Sequence, residues 1–419
     1  MPLCYNHKIM DELDHNDHRK IGKDLDLFVF SDVVGKGLPL YTEKGATIRR
    51  ELEKFIVEEE IKRGYQHVIT PDIAKLELYE KSGHYPYYKE TMYAPIEIDD
   101  EKFMLRPMTC PHHFELYLSR PRSYRELPMR IAELAKLYRY EHSGNLIGLV
   151  RVRSFCLADS HIICADKDQA RDEVLQALDL IQDMASVFGL KKGEDYWYRL
   201  SLGNRQDDKK YFKDDQAWDE AEEVLRDILK NQDVKFYEAE DEAAFYGPKI
   251  DIQMKDKRGQ ENTAFTVQYD FVMPKRFKLV YINQESKEQE AIVIHRSSIG
   301  AIERIMAFLI EHYEGAFPTW LAPVQVGILP VAAVHEDYAK KVAAELRQAG
   351  LRPQFYEASD TLGKRIREVK MSKLPYFLVI GDKEQDSNTL TIEHRSGDKK
   401  ELSLPDFISS LQAEIKERK

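Results

Sequence analysis

Met129–Cys164 reads MRIAELAKLYRYEHSGNLIGLVRVRSFCLADSHIIC, and how this stretch is read decides the fold. It begins as a strand carrying Arg139 and Glu141 and breaks into a polar turn at His142-Ser143-Gly144-Asn145. It returns through Leu149-Val150 with Arg151 and Arg153 on alternate positions, then Phe155, Asp159 and His161. Alternate residues of an extended chain share a face. Arg139 is therefore expected to point with Glu141, and Arg151 with Arg153 and Phe155. Two arginines and an aromatic ring on one face suit a ligand that carries both phosphate and a ring. The same pattern suits a solvated hairpin with ordinary surface ion pairs. The stretch alone leaves both readings open.

On the N-terminal side, residues 1–30 are polar and form a lead-in arm containing DHRKIGKDLDLF. The spacing predicts an amphipathic helix over Thr47–Gly64, with Ile48, Leu52, Phe55 and Ile56 on one side and Gly64 as its C-cap. Gln66–Pro71 reads as a short strand stopped by proline. Helix and strand together suit a dimer interface. EKFMLRPMTCPHH (Glu101–His113) reads as a strand entering a proline-bounded loop that gathers Cys110, His112 and His113. Arg122–Leu137 reads as partly helical.

On the C-terminal side, Asp168–Gly189 is a strong helix with Val174, Leu178, Ile181, Ala185 and Phe188 in one stripe, and Asp166 or Asp168 can cap it. Asp214–Lys230 is another, with Trp218, Ala221, Leu225 and Ile228 facing one way. Two strands follow, Ala244–Met254 after a Gly-Pro turn and Thr263–Phe271. The second aligns Thr266, Gln268 and Asp270, a polar stripe that suits a site as well as solvent. Ala291–Ile294 is a third strand, expected to end in a polar turn at His295–Gly300 before a helix carrying Arg304. Such a junction is a good place to receive an anion.

Phe317–Pro323 is a proline-bracketed linker. Beyond it strands alternate with helices (Val324–Leu329, His335–Ala349, Pro353–Glu357, Thr361–Met371, Tyr376–Gly381, Thr389–Glu393, Leu404–Lys416), which predicts a mostly parallel, covered sheet. Lys364, Arg365, Arg367, Lys370 and Lys373 cluster there, either as a solvated helix face or as a basic contact. This region carries 16 Lys and Arg against 15 Asp and Glu, so the overall charge of −11 belongs to the first 322 residues. That charge argues against a general nucleic-acid binder but leaves room for a local basic site. With 419 residues and 43% apolar content the chain has room for two or three domains. The N-terminus reads as neither signal nor transit peptide, and no run is long enough to span a membrane. Four scattered cysteines (Cys4, Cys110, Cys156, Cys164) point to a reducing compartment, and the cytoplasm is expected.

Eight motifs in order resemble the threonyl-tRNA synthetases, a family of class II aminoacyl-tRNA synthetases. They are DHRKIGK (Asp17–Lys23), RPMTCPHH (Arg106–His113), LYRYEHSG with LVRVRSF and ADSH (Leu137–His161), FYGPKID (Phe245–Asp251), FTVQYDF (Phe265–Phe271), VIHRSSIGAIER (Val293–Arg304), FPTWLAPVQV (Phe317–Val326) and GDKE (Gly381–Glu384). The resemblance implies an α+β catalytic domain over 31–318, an antiparallel sheet flanked by helices, then a smaller α/β anticodon-binding domain over 323–419. It implies a threonine–tRNA ligase that uses ATP with Mg²⁺, threonine and tRNA(Thr), works as a homodimer and holds one Zn²⁺ on Cys110, His161 and His295. Three protein ligands leave an open coordination position, as in working rather than structural zinc sites.

By the same resemblance, Arg139 holds the α-phosphate and the threonine carboxylate, and Glu141 meets the adenine amino group. Phe155 and Arg304 sandwich the adenine, Arg151 faces the β- and γ-phosphates, and Gln268 lies beside the adenylate. Asp159 takes the threonine hydroxyl, Tyr246 lies near the amino group and Met108 forms a pocket wall. Glu384 and Arg395 are the tRNA candidates in the small domain. The chain departs from the family at Leu157-Ala158, where Gln-Asp is usual, at His112, where Gly is usual, and at Glu393, where Arg is usual. Full-length bacterial relatives carry two further N-terminal domains, one of which removes misattached serine. The expectation is a chain that mischarges serine and does not correct it in cis. Two other readings fit a synthetase-like chain: an enzyme that adenylates an amino acid for a carrier, and a non-catalytic RNA-binding regulator.

Overall fold

A computed structural model describes residues 14–232, 234–255, 259–387 and 389–419. Cys4 and the first thirteen residues of the expected arm lie outside them. Two compact units emerge, one of residues 32–38 and 53–307, the other of 14–31, 39–52 and 308–419.

The larger unit is built on an eight-stranded sheet. Its order is Phe236–Ala239, Tyr196–Ser201, Lys249–Lys255, Glu261–Asp270, Ile292–Ala301, Ser154–Cys164, Met129–Tyr138, Gln66–His67. All neighbours are antiparallel except the two edge pairs, which are parallel. One face is covered by the helix Lys167–Val187, which packs on the Ile292–Ala301 and Glu261–Asp270 strands and begins at the predicted Asp166 cap. Behind it, Asp215–Asn231 buries the predicted Trp218, Ala221, Leu225 and Ile228. A second apolar cluster joins Phe114 and Tyr117 to Met129, Ile131, Val293 and Phe277.

Several expectations change. Arg122–Leu137 is not helical beyond one 3₁₀ turn at Tyr124–Glu126, because Met129–Tyr138 pairs along its length with Ser154–Cys164. Cys110–His113 is not a loop but the first turn of the helix Cys110–Leu118, where Pro111 loses no hydrogen bond. The strand with His295 does not stop at a polar turn. It runs to Ala301 through a register shift after Ser297, and the helix Ile302–His312 follows directly. At the bulge, Gly300 has φ +65° and a Cβ there would lie 2.0 Å from the Ala264 carbonyl oxygen, so only glycine fits. The helix predicted at Thr47–Gly64 spans Glu43–Lys62.

The smaller unit holds a five-stranded sheet ordered Pro353–Phe355, Val326–Pro330, Tyr376–Ile380, Thr389–His394, Lys399–Ser403. It is mixed rather than mostly parallel: two pairs are parallel and two antiparallel. Thr389–His394 turns back antiparallel to Tyr376–Ile380 after the short helix Asp382–Ser387, and Lys399–Ser403 pairs with it as a hairpin. Lys399–Ser403 and the short helix Asp382–Ser387 were not foreseen. Of the basic cluster, Arg365 is buried and donates to the carbonyls of Pro330 and Asp360, so it belongs to the core and not to a solvated face.

Candidate active site

The period-two rule places one side of three neighbouring strands over a cavity of about 520 Å³ in the larger unit. From Ser154–Cys164 it receives Phe155, Leu157, Asp159 and His161. From Glu261–Asp270 it receives Thr266 and Gln268, and from Ile292–Ala301 it receives His295. Register aligns Gln268, His295 and His161 in one row across the sheet. Met108, Cys110, Arg139, Glu141, Arg151, Tyr246 and Arg304 complete the walls. Every residue predicted for ATP, threonine or metal therefore lines a single cavity.

The hairpin geometry differs in detail. The strand ends at Tyr138, and its partner begins only at Ser154, so Arg139, Glu141 and Arg151 sit in the connection. Arg153 does not share the face of Arg151 and Phe155. Its guanidinium donates to the Glu141 carbonyl at 3.0 and 2.9 Å and lies over the Tyr140 ring. Arg151 pairs with the Glu141 carboxylate at 3.0 Å. Arg139 donates to the Pro107 carbonyl and lies 5.2 Å from the Phe155 ring centroid. Arg304 is held by the carbonyls of Val150 (3.1 Å) and Thr263 (2.6 Å). Burial, with the charges of Arg139 and Arg151, lowers its pKa to about 10. A guanidinium under that much pressure marks a strongly positive pocket, ready for an anion.

In the same cavity, one donor atom from each of Cys110, His161 and His295 lies within 4.8 Å of the others, and all three residues are buried. The His161 and His295 rings are 4.6 Å apart, edge to face. His295 Nε2 is 2.6 Å from Asp270 Oδ2, while Asp270 Oδ1 accepts from the backbone amides of Val272 and Met273. Burial holds His161 well below the ordinary histidine range, which keeps a ring lone pair available, and it pushes the Cys110 thiol up. This sulfur–nitrogen donor set fits zinc, whereas Mg²⁺ prefers oxygen. Tyr246 stacks on His295 with centroids 4.9 Å apart and donates its hydroxyl to Gln268 at 2.5 Å. Asp159, which lines the same cavity, has its carboxyl pKa raised by burial.

Sequence reading gave no role to four residues here, although it grouped one of them, His113, with Cys110. His84 lines the cavity with its Nδ1 2.7 Å from Ser82 Oγ and its Nε2 3.9 Å from Cys110 Sγ, and burial lowers its pKa to about 3. Lys249 also lines it and pairs with Asp251 at 2.9 Å. His113 and Glu133 stand behind His161. An acid inside the apolar run of Met129–Leu137 was the available signal, since a buried charge requires partners. In the smaller unit, Glu384 is buried, and its carboxylate accepts from the Gly381 amide and the Thr391 hydroxyl. Arg395 is exposed, and its guanidinium donates to the Lys373 and Phe317 carbonyls.

Residues 93–313 match the tRNA synthetase class II core domain (G, H, P, S and T), and 325–414 match an anticodon binding domain. The crystal structure of the RNA binding domain of a threonyl-tRNA synthetase from Cryptosporidium parvum Iowa II superposes with a TM-score of 0.89 and 34% identity, covering 95% of this chain and 98% of that one. The chain belongs to the threonyl-tRNA synthetase family. Curated relatives in this family include the threonine–tRNA ligase of Geobacillus sp. (strain WCH70), 48% identical over 409 residues, and threonine–tRNA ligase 1 of Bacillus subtilis (strain 168), 47% identical over 411. The chain spans about 63% of the length of each, while 97% and 98% of its own length is matched. Among the described residues no helix is long and apolar enough to cross a membrane.

Proposed function

We propose that the chain activates threonine with ATP and transfers it to tRNA(Thr). The observation that carries this is one cavity lined both by three arginines, Arg139, Arg151 and Arg304, and by the Cys110–His161–His295 donor set. A ligand spanning it has an anionic, ring-bearing half and a small metal-binding half, as a threonyl-adenylate does.

In the first step the threonine carboxylate attacks the α-phosphorus of ATP, and pyrophosphate leaves. Arg139 lies between the two anions, reduces their repulsion and stabilises the charge that builds on the phosphoryl oxygens. Arg151 releases Glu141 to meet the β- and γ-phosphates, with Mg²⁺ sharing their charge. Glu141 is then free to accept from the adenine amino group. Phe155 and Arg304 enclose the adenine ring by stacking. Gln268, oriented by Tyr246, lies along the adenylate. In the second step the terminal hydroxyl of tRNA attacks the mixed anhydride and AMP leaves. The region from 323 onward serves as the anticodon-binding domain and 31–318 as the catalytic domain.

Cys110, His161 and His295 would hold zinc, which when bound would supply a Lewis acid for the polar groups of threonine. Asp159 receives the hydroxyl proton, Tyr246 borders the amino group, and Met108 limits the methyl side. A site that binds the hydroxyl rejects valine by roughly 10⁴–10⁵, whereas shape alone gives about 10–200-fold. Serine retains both polar groups, so this pocket accepts it to a measurable extent. Ile61, Ile69 and Ile73 are exposed by 56%, 96% and 39%, and a second copy of the chain would cover them. Sedimentation of the purified chain tests the dimer.

Charging of tRNA tests the whole reading. Labelled threonine should become acid-precipitable on tRNA(Thr) with ATP present. Formation of adenylate without transfer to tRNA would favour carrier charging instead, and neither reaction would leave an RNA-binding regulator.

A further inference from the structure

Glu133 is buried on the Met129–Tyr138 strand and surrounded by donors. Its Oε1 accepts from the Thr70 amide at 3.1 Å and from Arg106 Nη1 at 3.0 Å. Its Oε2 accepts from the Thr70 hydroxyl at 2.7 Å and lies 3.2 Å from His113 Nε2. The other nitrogen of that ring, His113 Nδ1, is 2.8 Å from His161 Nδ1. His113 is fully buried and lies outside the cavity lining.

We propose that Glu133 and His113 form a positioning relay that fixes the proton of His161 on Nδ1 and so presents its Nε2 lone pair to the site shared with Cys110 and His295. The inference rests on the reading of those three residues as metal ligands and adds the device that aims one of them.

The proton count carries the argument. Each of the two contacts needs one proton between its atoms. A carboxylate that already receives three donors is an acceptor, so His113 donates from Nε2. In the proposed arrangement His113 Nδ1 accepts across the 2.8 Å contact from a proton on His161 Nδ1, whereas the reverse direction would need both His113 nitrogens protonated. The opposite assignment would point a His113 lone pair at a carboxylate. His161 Nε2 is left unprotonated, the form that binds a metal. His295 reaches the same condition by a shorter route, through Asp270 on its Nε2. Metal-binding histidines are commonly oriented through the nitrogen that does not bind, and losing the partner typically costs about 10–100-fold in metal affinity. Here the orienting carboxylate sits one imidazole further back. Arg106, which also donates to the Lys136 carbonyl at 2.7 Å and pairs with Asp72 at 2.9 Å, holds it in place.

Zinc affinity, measured by competition with a chromophoric chelator, is the first test. His113→Leu should bind zinc about 10–100-fold more weakly than the wild-type chain. His113→Asn, whose side-chain oxygen can still accept from His161, should recover much of that loss, which a merely space-filling role would not give. Unchanged affinity in a folded His113→Leu would overturn the relay. Equal zinc binding by wild type and Cys110→Ser would instead overturn the ligand reading. The second test needs no variant to fold: ¹⁵N spectroscopy of the histidines in the metal-free wild-type chain. A proton on His161 Nδ1 with Nε2 bare supports the relay, and a proton on Nε2 refutes it.

Discussion

Replacing Glu133 by Gln should change how the larger unit responds to acid, and the size of the effect follows from the carboxylate's surroundings. Burial alone would raise its pKa. The hydrogen bonds from His113 and Thr70 and the charge of Arg106 overcome that and bring it down to about 2, from 4.5. A folded-state pKa below the unfolded one contributes stability above pH 4.5 that is lost as the pH falls toward 2. At 1.36 kcal/mol per pH unit the full contribution is about 3 kcal/mol, and about 2 kcal/mol of it has gone by pH 3. Gln stands in for the protonated acid. The gap in stability between wild type and Glu133→Gln should therefore be about 3 kcal/mol at pH 7 and shrink to about 1 kcal/mol at pH 3. Acid effects from other carboxylates are common to both proteins and cancel in the difference. Urea unfolding followed by hydrogen exchange of peptides from Met129–Cys164 reads this unit by itself. A gap that stays constant from pH 7 to pH 3 would refute the reasoning.

Cys110→Ser should lose zinc and with it the preference for threonine over valine, from roughly 10⁴–10⁵ to about 10–200-fold, with the circular dichroism spectrum unchanged; exchange kinetics with each amino acid measure it. Arg151→Ala removes a charged partner of the phosphates and should raise the KM for ATP by about 10–100-fold, as loss of a charge-assisted hydrogen bond of about 1.5–3 kcal/mol does. Gly300→Ala meets the Ala264 carbonyl at a positive φ and should cost at least about 1 kcal/mol, seen as a lower melting temperature. It should also weaken ATP binding, because Thr263, next to Ala264, supplies the carbonyl that holds Arg304.

Local physics made the covering helices legible. Lys167–Val187 and Asp215–Asn231 have single apolar stripes and aspartate caps, and they appear within a residue or two of where spacing puts them. The helix Leu404–Lys416 matches its predicted bounds. Elements whose form depends on partners were harder. Met129–Tyr138 reads both as the start of a strand and, within Arg122–Leu137, as partly helical until its ten-residue pairing with Ser154–Cys164 decides for the strand, and the bulge beyond Ser297 hides in what reads as a turn. The alternation of Arg151, Arg153 and Phe155 marked the stretch that lines the cavity but not its faces, because Arg153 turns away to Glu141 and Tyr140. The grouping of Cys110, His161 and His295 was not legible from spacing: they come from a helix and two strands, and only the family resemblance joined them. The roles of Glu133 and His113 were not legible, because they rest on contacts between segments far apart in sequence. The departure at Leu157-Ala158 also resolves into two unlike positions. Leu157 lines the cavity, while Ala158 is buried away from it.

The central claim, that one cavity joins a phosphate-binding half to a metal-binding half for threonine, is tested most directly by amino-acid-dependent ATP–pyrophosphate exchange with and without a zinc chelator. The account predicts exchange that depends on threonine, far exceeds that with valine, and disappears when zinc is withdrawn. Exchange that is indifferent to the chelator, or equal with threonine and valine, would contradict it.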